Sequence, residues 1–264
     1  MNKRMGLSLI LIVLILGTAM MADQLVPNDP YDNKLSLRLQ EASLDYPLGT
    51  DNMGRCNLSR LLVASRTTLS IALQVSLVSM VLGVGVGALS GYYGGLMDRL
   101  LQLLLELFLA FPPFVYVLVF IGLVGNSTNV LILSMAMATW AQSAKAVRAK
   151  VIVEKDKLYV QCARLCGSSD GLILTKHILP NVMTAMFVFF SLQFGDVILL
   201  ISGFSFLGLG ISSDIPEWGN MVSSARETLF TRPSQMLYPV LCIFIVVMAF
   251  NNLAEGIREK YECT

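Results

Sequence analysis

Six apolar runs, near residues 5–21, 68–90, 100–124, 130–144, 182–201 and 236–250, limit this chain more than any other feature. Inside hydrocarbon, backbone N–H and C=O groups must be satisfied without water. Runs of this kind, at about 20 residues per crossing, therefore fold as transmembrane helices. Charged residues make up 14% of the chain, against about 25% in soluble domains, which again makes lipid the solvent. The expected fold class is all-α, a polytopic membrane protein of about six spans. Pro112 and Pro113 interrupt the third run and remove two donors, so a kinked or split helix is expected there. The first run follows Lys3 and Arg4; it is longer than a usual secretory h-region and lacks a good small-x-small cleavage site. It reads as an uncleaved first span.

Lysine and arginine in short loops mark the cytoplasmic side. Lys3, Arg4, Arg99, Arg258 and Lys260 fall on one side together with the basic stretch at about 145–180. Both termini are therefore expected in the cytoplasm of a cell-membrane protein. The basic stretch reads as a polar helix, a break at Gly167 and a second short helix ending at Pro180, a knob held between spans. Gly167 allows a chain reversal with positive φ, and Ser168, Ser169 and Asp170 are placed to cap the second helix. Two units are expected: 1–66, an anchor with an outer loop, and 67–264, a core of five spans containing the knob.

The net charge of +1 gives no electrostatic footprint for nucleic acid. Cys56, Cys162, Cys166, Cys242 and Cys263 are scattered and His177 is the single histidine. That pattern supports neither a disulfide framework nor a zinc set, and no cofactor is expected. The 14 methionines sit mostly among leucines in the spans and read as gap-fillers before soft-metal ligands. No Gly-Lys-Ser/Thr phosphate loop, His-Glu-x-x-His or Gly-x-Ser-x-Gly run occurs, so neither ATP binding nor hydrolytic chemistry is expected here.

Glu106 and Asp196 lie inside apolar runs, where a charge costs about 2.5 kcal/mol or more. With Gln193 one turn before Asp196, they are candidates for lining a translocation path. The plainer reading is a carboxyl hydrogen-bonded to a neighbouring helix. On the outer side, Asp51 and Arg55, and Glu217 and Trp218, are candidates for contact with an external protein. The plainer reading pairs Asp51 with Arg55 to fold the loop and makes Trp218 an interfacial anchor.

Several stretches carry a family resemblance. Gln161, Cys162 and Ala163 are followed by Gly167 and by Ile178, Leu179 and Pro180. Leu48 to Arg55 follows Leu-Gly-Thr-Asp-x-x-Gly-Arg, with Cys56 where an aspartate usually comes next. Gly91, Tyr92, Tyr93, Gly94 and Gly95 precede Asp98 and Arg99, and Ser205 to Gly210 reads Ser-Phe-Leu-Gly-Leu-Gly ahead of Glu217, Trp218 and Gly219. Met248 to Asn251 closes the last span. On these residues the chain resembles the permease subunits of binding-protein-dependent ABC importers, in the dipeptide, oligopeptide and nickel branch. The family's coupling loop carries a Glu-Ala-Ala signature; here Gln161 replaces the acid and Cys162 the first alanine.

The resemblance implies the ABC type I importer permease fold. It implies a cytoplasmic coupling helix whose Gln161, Ala163, Arg164, Gly167 and Asp170 meet an ATPase. It further implies a second homologous permease, two cytoplasmic ATPase subunits and an extracytoplasmic solute-binding protein, with ATP hydrolysis confined to the partners. Residues 201–206 and 217–236 look more like the nickel-type second permease than the peptide type. Nickel, free or chelated, is the expected solute, with di- or oligopeptides the alternative. An ion-coupled carrier working alone is the rival class, and the missing inverted repeat speaks against it. A membrane-embedded enzyme lacks a nucleophile-base set.

Overall fold

The structure, a computed structural model, describes residues 3–262 and the side chains of 5–260. The Lys3 and Arg4 side chains and Cys263 lie outside the described residues. Helix α1 (Lys3–Met20) turns at Met21 into the short α2 (Ala22–Leu25). Then follow α3 (Asn57–Tyr93), α4 (Gly95–Leu109), α5 (Pro113–Val124), α6 (Thr128–Lys155), α7 (Leu158–Leu165) and α8 (Asp170–Leu172). A π turn, Ile173–Ile178, leads into α9 (Leu179–Phe206), and α10 (Trp218–Ala225) and α11 (Ser234–Glu262) complete the chain.

Among the described residues, 4 helical stretches are each long and apolar enough to cross a bilayer: 57–93, 128–155, 170–206 and 234–260. The α4–α5 pair is a fifth, bent by 80°. The bend falls at the expected prolines. Pro112, followed by proline, is held extended at ψ 146°. Pro113 then opens α5 in its first turn, where a missing N–H costs nothing.

Helix direction decides how α4 and α5 count. Gly83 lies against Ser143, Gly87 against Ala144 and Val147, and Gly91 against Arg148 and Val151. Rising numbers on α3 meet rising numbers on α6, so the two helices are parallel neighbours. Parallel neighbours need an odd number of crossings between them, and the bent pair therefore crosses once. The approach is close because the residues are small. A Cβ on Gly83 would sit 2.4 Å from the Ser143 Cβ, and one on Gly87 would sit 2.4 Å from the Ala144 carbonyl oxygen.

The remaining helices are antiparallel to their neighbours. Gly195 of α9 lies against Val247 and Asn251 of α11, and Met5 of α1 lies against Gly256 of α11. At the other end of α1, Ile15 shares a cleft with Cys242. Lys150 and Glu154 of α6, Asn181 of α9 and Ile257 of α11 line another cleft. The start of α1, the end of α11 and the knob are thus at one end of the bundle, with α1 as the sixth apolar helix.

The core is built around Ile71 and Val75 of α3, Leu131 and Met135 of α6, and Phe194, Ile198 and Ile201 of α9. The 66/67 boundary expected from the sequence falls inside α3. Two features of the knob also differ from the sequence reading. Its polar beginning is the last turns of α6, which runs unbroken to Lys155. The second short helix does not end at Pro180, because 170–206 is one continuous helix. Proline lacks a donor and its ring crowds the carbonyl a turn back; the wider π turn ahead of Pro180 accommodates both. Asn181 Nδ2 donates to the His177 carbonyl at 2.6 Å, satisfying an oxygen in that turn.

Candidate functional site: a rigid knob at one end of the bundle

Helix α7 ends in a Schellman motif. The Gly167 N–H donates to the Arg164 carbonyl at 3.0 Å and the Ser168 N–H to the Ala163 carbonyl at 3.1 Å. Gly167 has φ 78°, and a Cβ there would meet nothing within 4 Å. The constraint on this glycine is therefore backbone conformation, not space.

The inner face of the knob is an apolar seat. Val160 of α7 and Ile173, Leu174 and Ile178 of the π turn pack with Tyr92 of α3, Val147 and Val151 of α6, and Val182 of α9. Polar latches reinforce it. The Tyr92 hydroxyl donates to Asp170 Oδ1 at 2.5 Å. The Arg164 guanidinium interacts with the same phenol, which holds the arginine pKa above its ordinary value. Across the knob, Tyr159 donates to Glu154 Oε1 at 2.8 Å and accepts from Asn181 Nδ2 at 3.3 Å. Burial and the Glu154 carboxylate push its pKa up to about 12, so this phenol stays a donor. Lys155 Nζ reaches the Gly91 carbonyl at 2.8 Å, and Arg148 holds both Asp98 oxygens at 2.7 Å. The end of α6 is thereby tied to α3 and to the bent span.

Asp170 does not cap the second helix as the sequence suggested. Ser169 occupies the N-cap and makes no side-chain cap bond, while the Asp170 carboxylate turns to Tyr92. The local apolar seat fixes the direction in which 170–178 leaves the turn, and the phenol is the donor within reach.

The outer face of α7 shows what is left for a partner. Leu158, Gln161, Cys162 and Leu165, spaced i, i+3, i+4 and i+7, are all exposed on one stripe. Leu158 is 78% and Leu165 88% exposed. Of the residues named from the sequence, Gln161, Arg164, Gly167 and Asp170 are exposed, whereas Ala163 is half-buried against the seat. The two leucines were missed, although their spacing in Leu158–Leu165, opposite Val160, is readable as an amphipathic turn pair.

The path candidates part company. Gln193 is buried in a web joining three helices. Its Nε2 donates to Ser79 Oγ at 2.8 Å, and its Oε1 accepts from Ser143 Oγ at 3.1 Å. Thr139 adds a bond to Ser79 at 3.1 Å. Asp196 and Glu106 are exposed on faces turned away from this core, so Gln193 and Asp196 do not share a surface.

At the other end of the bundle, the four outer candidates are all turned inward. Asp51 and Arg55 pair at 2.8 Å, and the Asp51 carboxylate also takes the Met53 and Arg55 backbone N–H groups. Glu217, fully buried, caps α10 by accepting from the Gly219 and Asn220 N–H groups at 2.9 Å, and accepts from Thr68 at 3.2 Å. Trp218 Nε1 donates to the Leu61 carbonyl at 3.3 Å. Asn52 donates to the Ser224 carbonyl and Gln235 to the Thr50 carbonyl, closing the loop before α3 against the segment around α10. These residues frame a cap at the end of the bundle opposite the knob.

An all-helical, multi-span bundle with a bent third crossing and a rigid helical knob between spans defines a membrane permease of the ABC type I importer fold. Residues 83–261 match the family described as Binding-protein-dependent transport system inner membrane component, and the chain belongs to it. It is 33% identical over 256 residues to the nickel transport system permease protein NikC of Escherichia coli, covering 97% of this chain and 92% of NikC. It is 34% identical over 252 residues to the glutathione transport system permease protein GsiD of Pectobacterium atrosepticum, covering 95% and 84%. Identity to the dipeptide transport system permease protein DppC of Alkalihalophilus pseudofirmus is 30% over 261 residues, covering 99% and 86%. These relatives put the chain in the dipeptide, oligopeptide and nickel branch. An inward-facing structure of the MetNI methionine ABC transporter gives a TM-score of 0.57 at 12% identity, over 75% of this chain and 95% of that one. At that identity it bears on fold alone. Permeases of ABC importers are not themselves enzymes; hydrolysis of ATP lies on separate subunits.

Proposed function

We propose that this chain is one half of the translocation unit of a nickel importer, taking nickel as the ion or in a chelate. It pairs with a second, homologous permease. Two ATPases dock on the knobs, and an external binding protein delivers solute to the outer cap that Asp51, Arg55, Glu217 and Trp218 hold together. The knob end, with both termini, faces the cytoplasm. The observation that carries this reading is the α7 stripe. Two leucines exposed on a helix whose other face is fully seated are unpaired in water, and they are covered once an ATPase is in place. Because the seat and the tyrosine latches leave the knob no independent freedom, displacement of α7 by nucleotide-driven closure moves α3, α6 and α9 with it, giving alternating access.

Asp196 and Glu106 support the second permease. A carboxylate facing lipid at membrane depth is costly, so the faces that carry them are covered by the partner or line the path between the two subunits. The nickel assignment follows the motif pattern of 201–206 and 217–236, and peptides are the alternative solute. Affinity-tagged chain is expected to copurify ATPase subunits, and cells lacking the chain to lose ATP-dependent uptake of labelled nickel while keeping that of labelled dipeptide. Loss of dipeptide uptake alone reassigns the solute. Absence of ATPase from the purified complex, with uptake sustained by an ion gradient, overturns the reading altogether.

A further inference from the structure

At the outer end, between the α5–α6 link and the chain around α10, lies a cavity of about 630 Å³. Its lining includes Asn126, Ser127, Ser205, Asn220, Ser223 and Ser224 and contains no charged side chain. The hydrogens on the α10 side are already committed. Ser223 Oγ donates to the Phe206 carbonyl at 3.0 Å, and Ser224 Oγ donates to the Asn220 carbonyl at 2.9 Å. Asn220 Nδ2 donates to the Ser212 and Ile215 carbonyls at 2.9 and 3.4 Å. What these groups still offer is oxygen lone pairs. Ser205, 1% exposed, lines the same cavity, and its Oγ has no hydrogen-bond partner in the chain. Buried hydroxyls are nearly always partnered; of the three left without a partner among the described residues, Ser76, Ser202 and Ser205, it is Ser205 that lines this cavity, and the pairing of the two features points to a ligand.

We infer that this cavity is a solute subsite at the outer mouth, one that takes a solute bearing its own hydrogen-bond donors. Such donors are the N–H groups of a peptide or the metal-bound water of a hydrated cation. The inference rests on the permease reading above. A wall of neutral hydroxyl and amide groups lacks the imidazole and thiolate ligands that suit nickel and its first-row neighbours, so it is poorly made to replace their bound water. It can hold the hydrated form by its outer hydrogens, or an amide-bearing solute by its N–H groups. With no ion pair formed, the solute is held weakly enough to move on.

Ser205→Ala tests this without breaking any bond within the chain, because Oγ makes none. Ser76→Ala is the control: Ser76 Oγ is likewise buried and unpartnered, but lies outside the cavity. Both variants are expressed with the whole importer, and uptake of labelled nickel and of labelled dipeptide is measured at equal membrane levels. Ser205→Ala is expected to cut uptake of the transported solute about three- to ten-fold, the weight of one hydrogen bond, with Ser76→Ala at the wild-type rate. Loss confined to nickel assigns the donors to metal-bound water, and loss confined to dipeptide assigns them to N–H groups. Wild-type uptake of both solutes by Ser205→Ala overturns the subsite and leaves the permease reading intact. An equal loss of ATP hydrolysis stimulated by solute-free binding protein also overturns it, because the cavity then belongs to the binding protein. Wild-type chain that supports no ATP-dependent uptake fails the permease reading instead.

Discussion

The Tyr92 hydroxyl and the Asp170 carboxylate meet at 2.5 Å, joining the knob end of α3 to the first residue after the α7 turn. They are 78 positions apart in the chain, so the bond fixes the knob against a helix that is distant in sequence. Tyr92 is 7% exposed and its ring belongs to the apolar seat. Tyr92→Phe keeps the ring and removes the hydroxyl that Asp170 and Arg164 share, a change worth about 1 kcal/mol, or about five-fold in the population of the seated knob. Membrane levels and ATP hydrolysis are expected to persist while solute moved per ATP falls by about that factor. Coupling measured at the wild-type ratio in this variant removes the latch from force transfer.

Gly87 meets the Ala144 carbonyl oxygen so closely that any side chain must push α3 off α6. Gly87→Val is expected to destabilise the bundle by about 1–3 kcal/mol or more, as overpacking does, and to appear as a lowered melting temperature of the purified subunit in detergent. Gly85 lies on the same helix with nothing within 4 Å of a Cβ. Gly85→Ala is expected to raise stability by up to about 1 kcal/mol through helix propensity. Equal melting temperatures for the two variants would contradict the close approach.

Much of the fold was legible because lipid allows few solutions. The apolar runs gave each crossing, and two adjacent prolines gave the bend. What sequence alone left unread was direction and pairing. The Gly83, Gly87 and Gly91 spacing, a small residue every fourth position, is the signal that α3 lies flat against a partner helix, yet it does not say which one. Boundaries slipped where composition changes inside a helix, so the end of α6 resembled a separate polar helix once lysines appeared. Pro180 resembled a terminus because periodicity does not reveal that a π turn can carry a helix past proline. In the site, Gly167 was readable from the reversal it must make. Tyr92 was visible in its motif but not as a latch, since a bond to Asp170 is a property of the tertiary seat. Glu217 and Trp218 stood out as a motif for the same reason that they are buried: one caps α10 and the other anchors it.

Gln193 and Asp196, three residues apart on α9, separate structure from transport. Gln193→Leu takes one hydrogen bond from each of the buried hydroxyls Ser79 and Ser143, at a cost of about 1–3 kcal/mol. It is expected to lower the melting temperature of the subunit. Asp196→Asn removes a charge from an exposed face and breaks no hydrogen bond recorded within the chain. Its melting temperature is expected to stay at the wild-type value while uptake falls several-fold. Wild-type uptake by Asp196→Asn takes that residue out of the path.

Leu165 is 88% exposed at the end of α7, and Leu158, two turns earlier on the same stripe, is 78% exposed. Covering one leucine side chain contributes about 1.5–3 kcal/mol, so the pair supplies a large part of a docking contact. Glutamate at either position keeps the helix, since both face away from the seat and glutamate is a good helix former. What it changes is the partner surface, where a buried unpaired carboxylate is unfavourable. Leu165→Glu is therefore expected to weaken ATPase association at least ten-fold, read as subunit recovered per tagged chain. Leu158→Glu is expected to act in the same direction, and Val153→Glu, exposed at 65% on α6 away from that stripe, to have little effect. Full recovery of ATPase with both Leu158 and Leu165 replaced would move the docking surface off α7. Force would then have to enter through another part of the knob, and the tyrosine latches would be structural only.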